Sequence, residues 1–369
     1  MKVPYNYLPM QFSDNEEIFT EWRNLIVSTD FTLGRYVEKF EKEFAKYINA
    51  KHCIATNNGT DALILALKAM NIGIGDEIIT VCNSFYATTG SIVAVGAIPI
   101  MVDCDERYQI DIKSIERKIT TKTKAILPVH WAGASPDMDE IIHIANRHNL
   151  LVLEDACMGI GGKINGRNPG TFGICGAYSL HPLKSLNVMG DGGMVVTDND
   201  ELANWMRIYR NHGMIDRDHN VMWGVNMRIQ PLQAIVALHG MKELYNIIAK
   251  RNKNATYLDK LLSNDRLKEF VKIPVRNEKN YETQSLYMGL FEDRDDLIKY
   301  LIKNGIEAKI HYPIPLHLQE AAKQYGYKKG DFPISENQAE KLVTLPIHQY
   351  IDNSHIEYMV KIILEFYNI

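Results

Sequence analysis

The chain has 369 residues, 46% hydrophobic and 23% charged, with a formal net charge of -4. That is an ordinary globular balance, and with no Lys/Arg-rich block it carries no nucleic-acid footprint. No apolar run approaches the roughly 18 residues that cross a bilayer, and the start, MKVPYNYLPMQFSDNEE, lacks the apolar stretch of a secretory signal.

The length exceeds one typical domain, so two domains around a shared site are expected. From about residue 50, short apolar runs alternate with amphipathic stretches. HCIATNN leads into GTDALILALKAM, and DEIITVC into YATTGSIVAVG. IPIMVDCD, DIKSIERKI, KAILPVH, MDEIIHIANRHN, LLVLEDA and GGMVVTDN follow in the same rhythm. Strands followed by helices in this way predict βαβ units, an α/β fold and a mostly parallel sheet buried on both faces. A long helical pattern, QPLQAIVALHGMKELYNIIAKRNKNATYLDKLL, leads into an α+β region. The expected division is a large αβα domain with an N-terminal arm over residues 1–245 and a small C-terminal domain over 246–369. Cys53, Cys82, Cys104, Cys157 and Cys175 are dispersed without CxxC spacing. They read as reduced core thiols of a cytoplasmic protein, and no metal site is expected.

Ligands of open parallel sheets sit beyond the carboxyl ends of the strands, and four motifs fall at such ends. In NNGTDAL, a turn on Gly59 opens a helix at Thr60 and Asp61. Free N–H groups there, with the threonine hydroxyl, suit a phosphate, although Thr60 or Asp61 as an ordinary helix cap is the competing reading. In CNSFYATTG, Phe85 stands either as core or where a flat ring could stack on an aromatic ligand. Asp155 closes the apolar run LLVLEDA, where an ionised carboxylate is costly unless it meets a cation or several donors. It could equally cap the next segment. The fourth motif, AYSLHPLKSLNVMGDGG, places Lys184 in an expected βα turn between Ser179 and the glycines Gly190, Gly192 and Gly193. A desolvated lysine amine forms Schiff bases with carbonyls. An amine, a buried acid, a phosphate cradle and a stacking ring are together what pyridoxal phosphate requires.

The order GTDAL, EDA, SLHPLKSLNVMGDGG, RNHG, NMRIQPLQAI and HYPIPLH resembles the DegT/DnrJ/EryC1/StrS family of pyridoxal-phosphate sugar aminotransferases, from about Phe31 to beyond Leu345. The resemblance implies a fold-type I homodimer with active sites shared at the interface. On it, Lys184 is the Schiff-base lysine and Asp155 the partner of the pyridine nitrogen. Gly59, Thr60 and Ser179 match phosphate contacts, Phe85 the stacking position, and Asn226 an asparagine that reaches the neighbouring subunit's cofactor phosphate. Met158 departs from the family's common pattern, Gln or His at that position, and thioether sulfur is a poor hydrogen-bond acceptor. The resemblance further implies transfer of an amino group, with L-glutamate as donor, to a keto sugar of cell-surface polysaccharide or glycan biosynthesis. A nucleotide-linked acceptor is expected, with a small phosphorylated ketone as the alternative. His181, His311 and Tyr312 are the candidate substrate residues. Arg217, Arg228 and Lys309 are candidate phosphate contacts or solvated charges. Thr283 and Gln284 stand where many nucleotide-sugar relatives carry aromatic or histidine residues. Two lesser readings are a sugar dehydratase, which needs histidine at the position of Lys184, and a cofactor-binding regulator.

Overall fold

The computed structural model describes residues 1–369. The chain opens with an extended arm, the short helix α1 (Leu8–Gln11) and the helices α2 (Glu16–Ser28) and α3 (Gly34–Ile48). Strands and helices then alternate: β1 (His52–Thr56), α4 (Gly59–Ala69), β2 (Glu77–Val81), α5 (Tyr86–Ala94), β3 (Ile98–Val102), the single turn α6 (Ile112–Ile115) and β4 (Thr123–Leu127). After them come α7 (Met138–His148), β5 (Leu151–Asp155), the two-residue β6 (Lys163–Ile164), β7 (Cys175–Ser179), β8 (Gly193–Thr197) and α8 (Asp200–Tyr209). Helix α7 shows the sequence logic. Met138, Ile141, Ile144 and Ala145 share its buried face, the Asp137 carboxylate accepts the Glu140 N–H, and left-handed Asn149 ends it.

Seven strands form one sheet in the order β1-β8-β7-β5-β4-β2-β3. The pairs β7-β5, β5-β4, β4-β2 and β2-β3 are parallel, whereas β8 runs antiparallel to both neighbours, β1 and β7. The expectation of βαβ units thus fails at two places. Between β5 and β7, which run parallel, residues 156–174 form only turns and β6, and residues 180–192 likewise contain no helix and bring β8 back beside β7 in the opposite sense. Lys184 therefore lies in a strand–loop–strand connection, not a βα turn. Alternate residues of one strand enter different cores, as a sheet covered on both faces demands. Ile54 joins the core containing Leu63, Ile79 and Val195, while Cys53 and Ala55 join that of Phe40, Phe44 and Tyr178.

Strand β1 is a sheet edge, and side chains take the place of the missing neighbour. Glu41 accepts the Ala55 N–H at 2.9 Å, and Arg210 donates to the Ala55 carbonyl at 2.5 Å. The two side chains, both buried, also pair with each other. The edge is thus closed by an ion pair whose charges are mutually compensated.

The long helical pattern is two helices, α9 (Pro231–Met241) and α10 (Leu244–Leu262). Around Gly240 the helix tightens: Lys242 N–H bonds the His239 carbonyl and Glu243 N–H that of Gly240, three residues back, and the chain bends. The remaining elements are β9 (Val271–Lys272), β10 (Asn280–Tyr281), β11 (Tyr287–Phe291), α11 (Arg294–Lys303), α12 (Pro333–Lys341), β12 (Leu342–Leu345) and α13 (Asn353–Phe366). A third core joins Leu258 of α10, Tyr287 of β11, Leu301 of α11, Val343 of β12 and Met359 of α13. It also takes in Val3 of the arm, which bonds Gly305 and Glu307 through its N–H and carbonyl.

The start of β8 touches the start of α4. A Cβ on Gly193 would stand 2.3 Å from the Asn58 carbonyl oxygen and 2.8 Å from the Gly59 nitrogen. Gly193→Ala is expected to destabilise the fold by about 1–3 kcal/mol, the usual cost of overpacking rigid neighbours. A lower urea midpoint with unchanged slope would report it, and an unchanged midpoint would show that the two backbones are free to separate.

Candidate active site

The sheet carries a cleft of about 260 Å³ at the carboxyl ends of its parallel strands. Gly59 and Thr60 form one wall of it. The cap of α4 is Asn58, not Thr60 or Asp61: its side chain accepts the Asp61 N–H at 2.8 Å. The Asn58 carbonyl takes the Ala62 N–H, which leaves those of Gly59 and Thr60 as the orphan donors of the first turn. Ser179, the last residue of β7, is packed against them. A Cβ on Gly59 would come within 2.8 Å of the Ser179 Cβ and 3.1 Å of the Cys157 sulfur. Two hydroxyls and two N–H groups at a helix N-terminus make an anion cradle.

Asp155 closes β5 and is 5% exposed. Its Oδ2 accepts the Thr88 hydroxyl at 2.7 Å and its Oδ1 the Cys157 N–H at 3.2 Å. Ser84 lies 2.7 Å from Thr88. Thr88 has a single hydroxyl proton, given to Asp155, so Ser84 is the donor between them. The residue before Asp155 is anchored from below. The Glu154 carboxylate accepts the N–H groups of Gly170, Phe172 and Gly173 and meets His130 Nε2 at 2.9 Å. Thr88 was not among the residues read from sequence; its signal was the spacing of Phe85 and Thr88, one helical turn apart in FYATTG.

Lys184 is half-buried in the loop between β7 and β8, and its amine meets no protein acceptor. Loss of hydration pushes its ammonium below the ordinary lysine range, partly opposed by Cys157 and Asp155. The backbone beneath it is held on both sides. Its N–H bonds the His181 carbonyl at 2.8 Å, and its carbonyl accepts from Tyr7 and Asn187, each at 3.1 Å.

Aromatic rings wall the opening. Tyr312 lies 6.0 Å from Phe85, 5.6 Å from Tyr86 and 5.8 Å from Trp131, between ring centres. Phe85 is 46% exposed, so it lines the cleft instead of filling the core. Tyr5 of the arm stacks on His311 at 6.0 Å. His311 meets the Thr344 hydroxyl at 3.0 Å, and burial pushes its imidazole down to about 4, helped by the Lys184 and Lys309 cations. It enters the cleft as a neutral hydrogen-bonding group. Burial likewise lowers His181 and raises the Tyr312 phenol to about 12. Met158 lines the cleft too, its carbonyl taken by the hydroxyls of Thr283 and Ser285 at 2.7 and 2.9 Å.

Ten of the eleven candidate residues thus meet in one cleft: Gly59, Thr60, Phe85, Asp155, Met158, Ser179, His181, Lys184, His311 and Tyr312. Asn226 does not. It lies exposed, its side-chain oxygen accepting Arg228 Nε at 3.1 Å. Arg217, Arg228 and Lys309 also lie outside the cleft lining, as do Thr283 and Gln284, whose place is taken by Ser285 and Leu286. Tyr5, Trp131, Asn58 and Ser285 are lining residues that sequence reasoning missed. A larger surface groove of about 570 Å³ runs along α2, α3 and α9. Its Glu17 is paired with Lys242 and His239, and its Glu21 accepts the Tyr36 hydroxyl at 2.7 Å.

An amine without an acceptor, a buried carboxylate and an anion cradle around one cleft fit pyridoxal phosphate group for group, and only glycine at 59 lets the cradle's helix start lie this close to Ser179. The class so defined is a fold-type I pyridoxal-phosphate-dependent aminotransferase. The chain belongs to the DegT/DnrJ/EryC1/StrS aminotransferase family, whose sequence profile matches residues 13–364. It is 38% identical to a Geobacillus stearothermophilus protein named pleiotropic regulatory protein, over 100% of this chain and 99% of that one. To the dTDP-3-amino-3,6-dideoxy-alpha-D-galactopyranose transaminase of Aneurinibacillus thermoaerophilus it is 35% identical, over 94% of each. The fold matches S. venezuelae DesV, solved with a ketimine intermediate, at a TM-score of 0.95 and 32% identity over 99% of this chain and 98% of that one. It also matches NtdA of Bacillus subtilis, solved with bound PMP, at a TM-score of 0.90 and 31% identity, covering 98% and 85%.

His348 shares the behaviour of His311: burial pushes it down to about 4, from an ordinary 6.5. Between those values the folded chain holds fewer protons than the unfolded one, so the stability both contribute is full above pH 6.5 and lost as pH falls toward 4. The melting midpoint is expected to fall across that window, and His348→Gln to flatten the fall. An equal slope in the variant would remove His348 from the cause.

Proposed function

We propose that this aminotransferase moves an amino group from L-glutamate to the keto carbon of a nucleotide-linked sugar, as a cytoplasmic homodimer, with Lys184 and Asp155 at the reacting centre. The observation that carries the reading is the convergence on one cleft of the Lys184 amine, the Asp155 carboxylate and the free start of α4. The acceptor class rests on relatives named as transaminases or aminotransferases of dTDP-, UDP- and GDP-linked or derived sugars, among them a UDP-N-acetyl-3-dehydro-alpha-D-glucosamine 3-aminotransferase 35% identical and a GDP-perosamine synthase 35% identical.

Bound pyridoxal phosphate supplies a carbonyl carbon that condenses with amines and a ring that draws off electrons. Gly59, Thr60 and Ser179 would hold its phosphate, Phe85 would lie against the ring, and Asp155 would hold the proton on the ring nitrogen. Thr88 and the Cys157 N–H fix the Asp155 carboxylate in place for that task. Lys184 Nζ, short of water and so readily neutral, takes the proton from the amino-bearing carbon of the donor. In the second half it returns a proton to the former carbonyl carbon of the sugar. The net exchange is balanced: the donor leaves as a 2-oxo acid and the ketone as an amine. His311, neutral, and Tyr312 stand on the acceptor side with Tyr5 and Trp131, where a flat sugar face has four rings to meet. The lysine at position 184 leaves no histidine there for dehydration.

The hairpin over residues 212–226 supports the dimer. It carries exposed Asn226 and, beside it, Trp223 at 92% exposure with Ile215 and Val221, an apolar set that a second copy would cover.

Mixing the protein with L-glutamate is expected to yield 2-oxoglutarate and shift the cofactor absorbance, and nucleotide-linked keto sugars to restore it. Lys184→Ala is expected to lower turnover about 10³-fold. Wild-type turnover in that variant would sink the assignment of the lysine. Restoration by phosphorylated ketoses and not by nucleotide sugars would overturn the acceptor, and no glutamate half-reaction would favour a regulator.

A further inference from the structure

Arg251 of α10 is 1% exposed, and no carboxylate lies within ion-pair distance of it. Its Nε donates to Gln349 Oε1 at 3.2 Å, its Nη2 to the Tyr7 hydroxyl oxygen at 2.9 Å, and its guanidinium lies 5.2 Å from the centre of the Tyr7 ring. A buried permanent cation facing only neutral partners is costly, so its field must be spent on polarising them. The Tyr7 oxygen accepts from Arg251 at 2.9 Å, and Asn187 Nδ2, 3.5 Å away, is an amide nitrogen that cannot accept. The one phenolic proton therefore has a single acceptor, the Lys184 carbonyl at 3.1 Å. The direction of the chain is therefore fixed: guanidinium to phenol to lysine backbone.

We infer that Tyr7 is a positioning residue that carries the pull of buried Arg251 to the backbone of Lys184 and so keeps the lysine amine in the cleft. The inference rests on the proposed role of Lys184. A donor polarised by a cation makes the stronger hydrogen bond. Asn187 supports the same loop, donating to the Pro182 carbonyl at 2.6 Å and accepting from Gln11 at 2.7 Å. The relay joins three parts of the chain far apart in sequence. The arm is itself seated by the His348 Nε2 to Pro4 carbonyl bond at 2.9 Å and by the Tyr5 N–H to Glu307 bond at 2.9 Å. Facing the lysine amine are Asp155 and Cys157 from the β5 end, His181 and Asp191 from its own loop, Tyr5 from the arm, and His311 and Tyr312. None of these is touched by removing the Tyr7 hydroxyl.

The test is Tyr7→Phe in the full chain loaded with pyridoxal phosphate. The absorbance of the bound cofactor against pH reads the proton on the Lys184 nitrogen. A loosened backbone would let water reach that nitrogen, bonded to the cofactor, and hydration favours its protonated form, so the midpoint is expected to rise by about half a unit or more. Turnover is expected to fall about tenfold to a hundredfold, with KM for donor and acceptor unchanged within about twofold. A merely structural hydroxyl would lower the melting point without moving the midpoint. Should Tyr7→Phe fail to fold, Arg251→Lys takes its place, keeping the buried charge but giving up the planar fork that reaches Tyr7; the same rise is expected. A wild-type midpoint and turnover in the folded variant would overturn the relay. Failure of the lysine assignment itself looks different: Lys184→Ala would then keep the band and its pH dependence.

Discussion

An amine that has no acceptor of its own stays in a cleft only if the backbone beneath it is held more firmly than the side chain is drawn to water. That constraint organises this molecule. The loop between β7 and β8 has no helix or ladder to stiffen it, so its polar groups are met one by one. Asn187 reaches the Pro182 and Lys184 carbonyls, and Tyr7 reaches the latter from 177 positions earlier in the sequence. The same device serves Asp155 from the other side, with Glu154 pinning its strand and Thr88 its carboxylate. The lysine is left free because its backbone is engaged, whereas the aspartate is aimed through its own carboxylate oxygens.

The sheet edge obeys a related rule. Strand β1 carries the turn into Gly59 and Thr60, and an edge strand without a neighbour would let that turn drift. Glu41 and Arg210 act as a substitute strand at Ala55, while Gly193 lets β8 press against the turn from the inner side. The helix start is thereby placed against Ser179 with its N–H groups facing the cleft.

Most of this was legible in the sequence because the informative residues sit in local patterns. Short apolar runs gave strands, and the residues just after them gave the cleft; Gly59, Thr60, Asp155, Ser179 and Lys184 were all read in that way. Three things escaped. The antiparallel return of β8 depends on what residues 180–192 do not form, which apolar periodicity does not report. The break between α9 and α10 comes from a shift in hydrogen-bond spacing around Gly240, in a stretch whose composition remains helical throughout. Tyr5 and Tyr7 precede every recognisable motif, and their partners lie some three hundred and two hundred and fifty positions onward, at His311 and Arg251. Contacts of that span leave no local trace.

That span also orders events in time. The arm is translated well before its partners: Val3 pairs beside Gly305 and Glu307, and Pro4 bonds His348. The parallel sheet can assemble while the chain is still being made, since domains fold as they emerge. The cleft wall supplied by Tyr5 and the backbone anchor supplied by Tyr7 must wait for His311 and Arg251, translated long after them. A product cut short before Arg251 would thus carry a formed sheet and a recognisable lysine loop without a finished pocket, and the nascent chain withholds its chemistry until those later residues are in place.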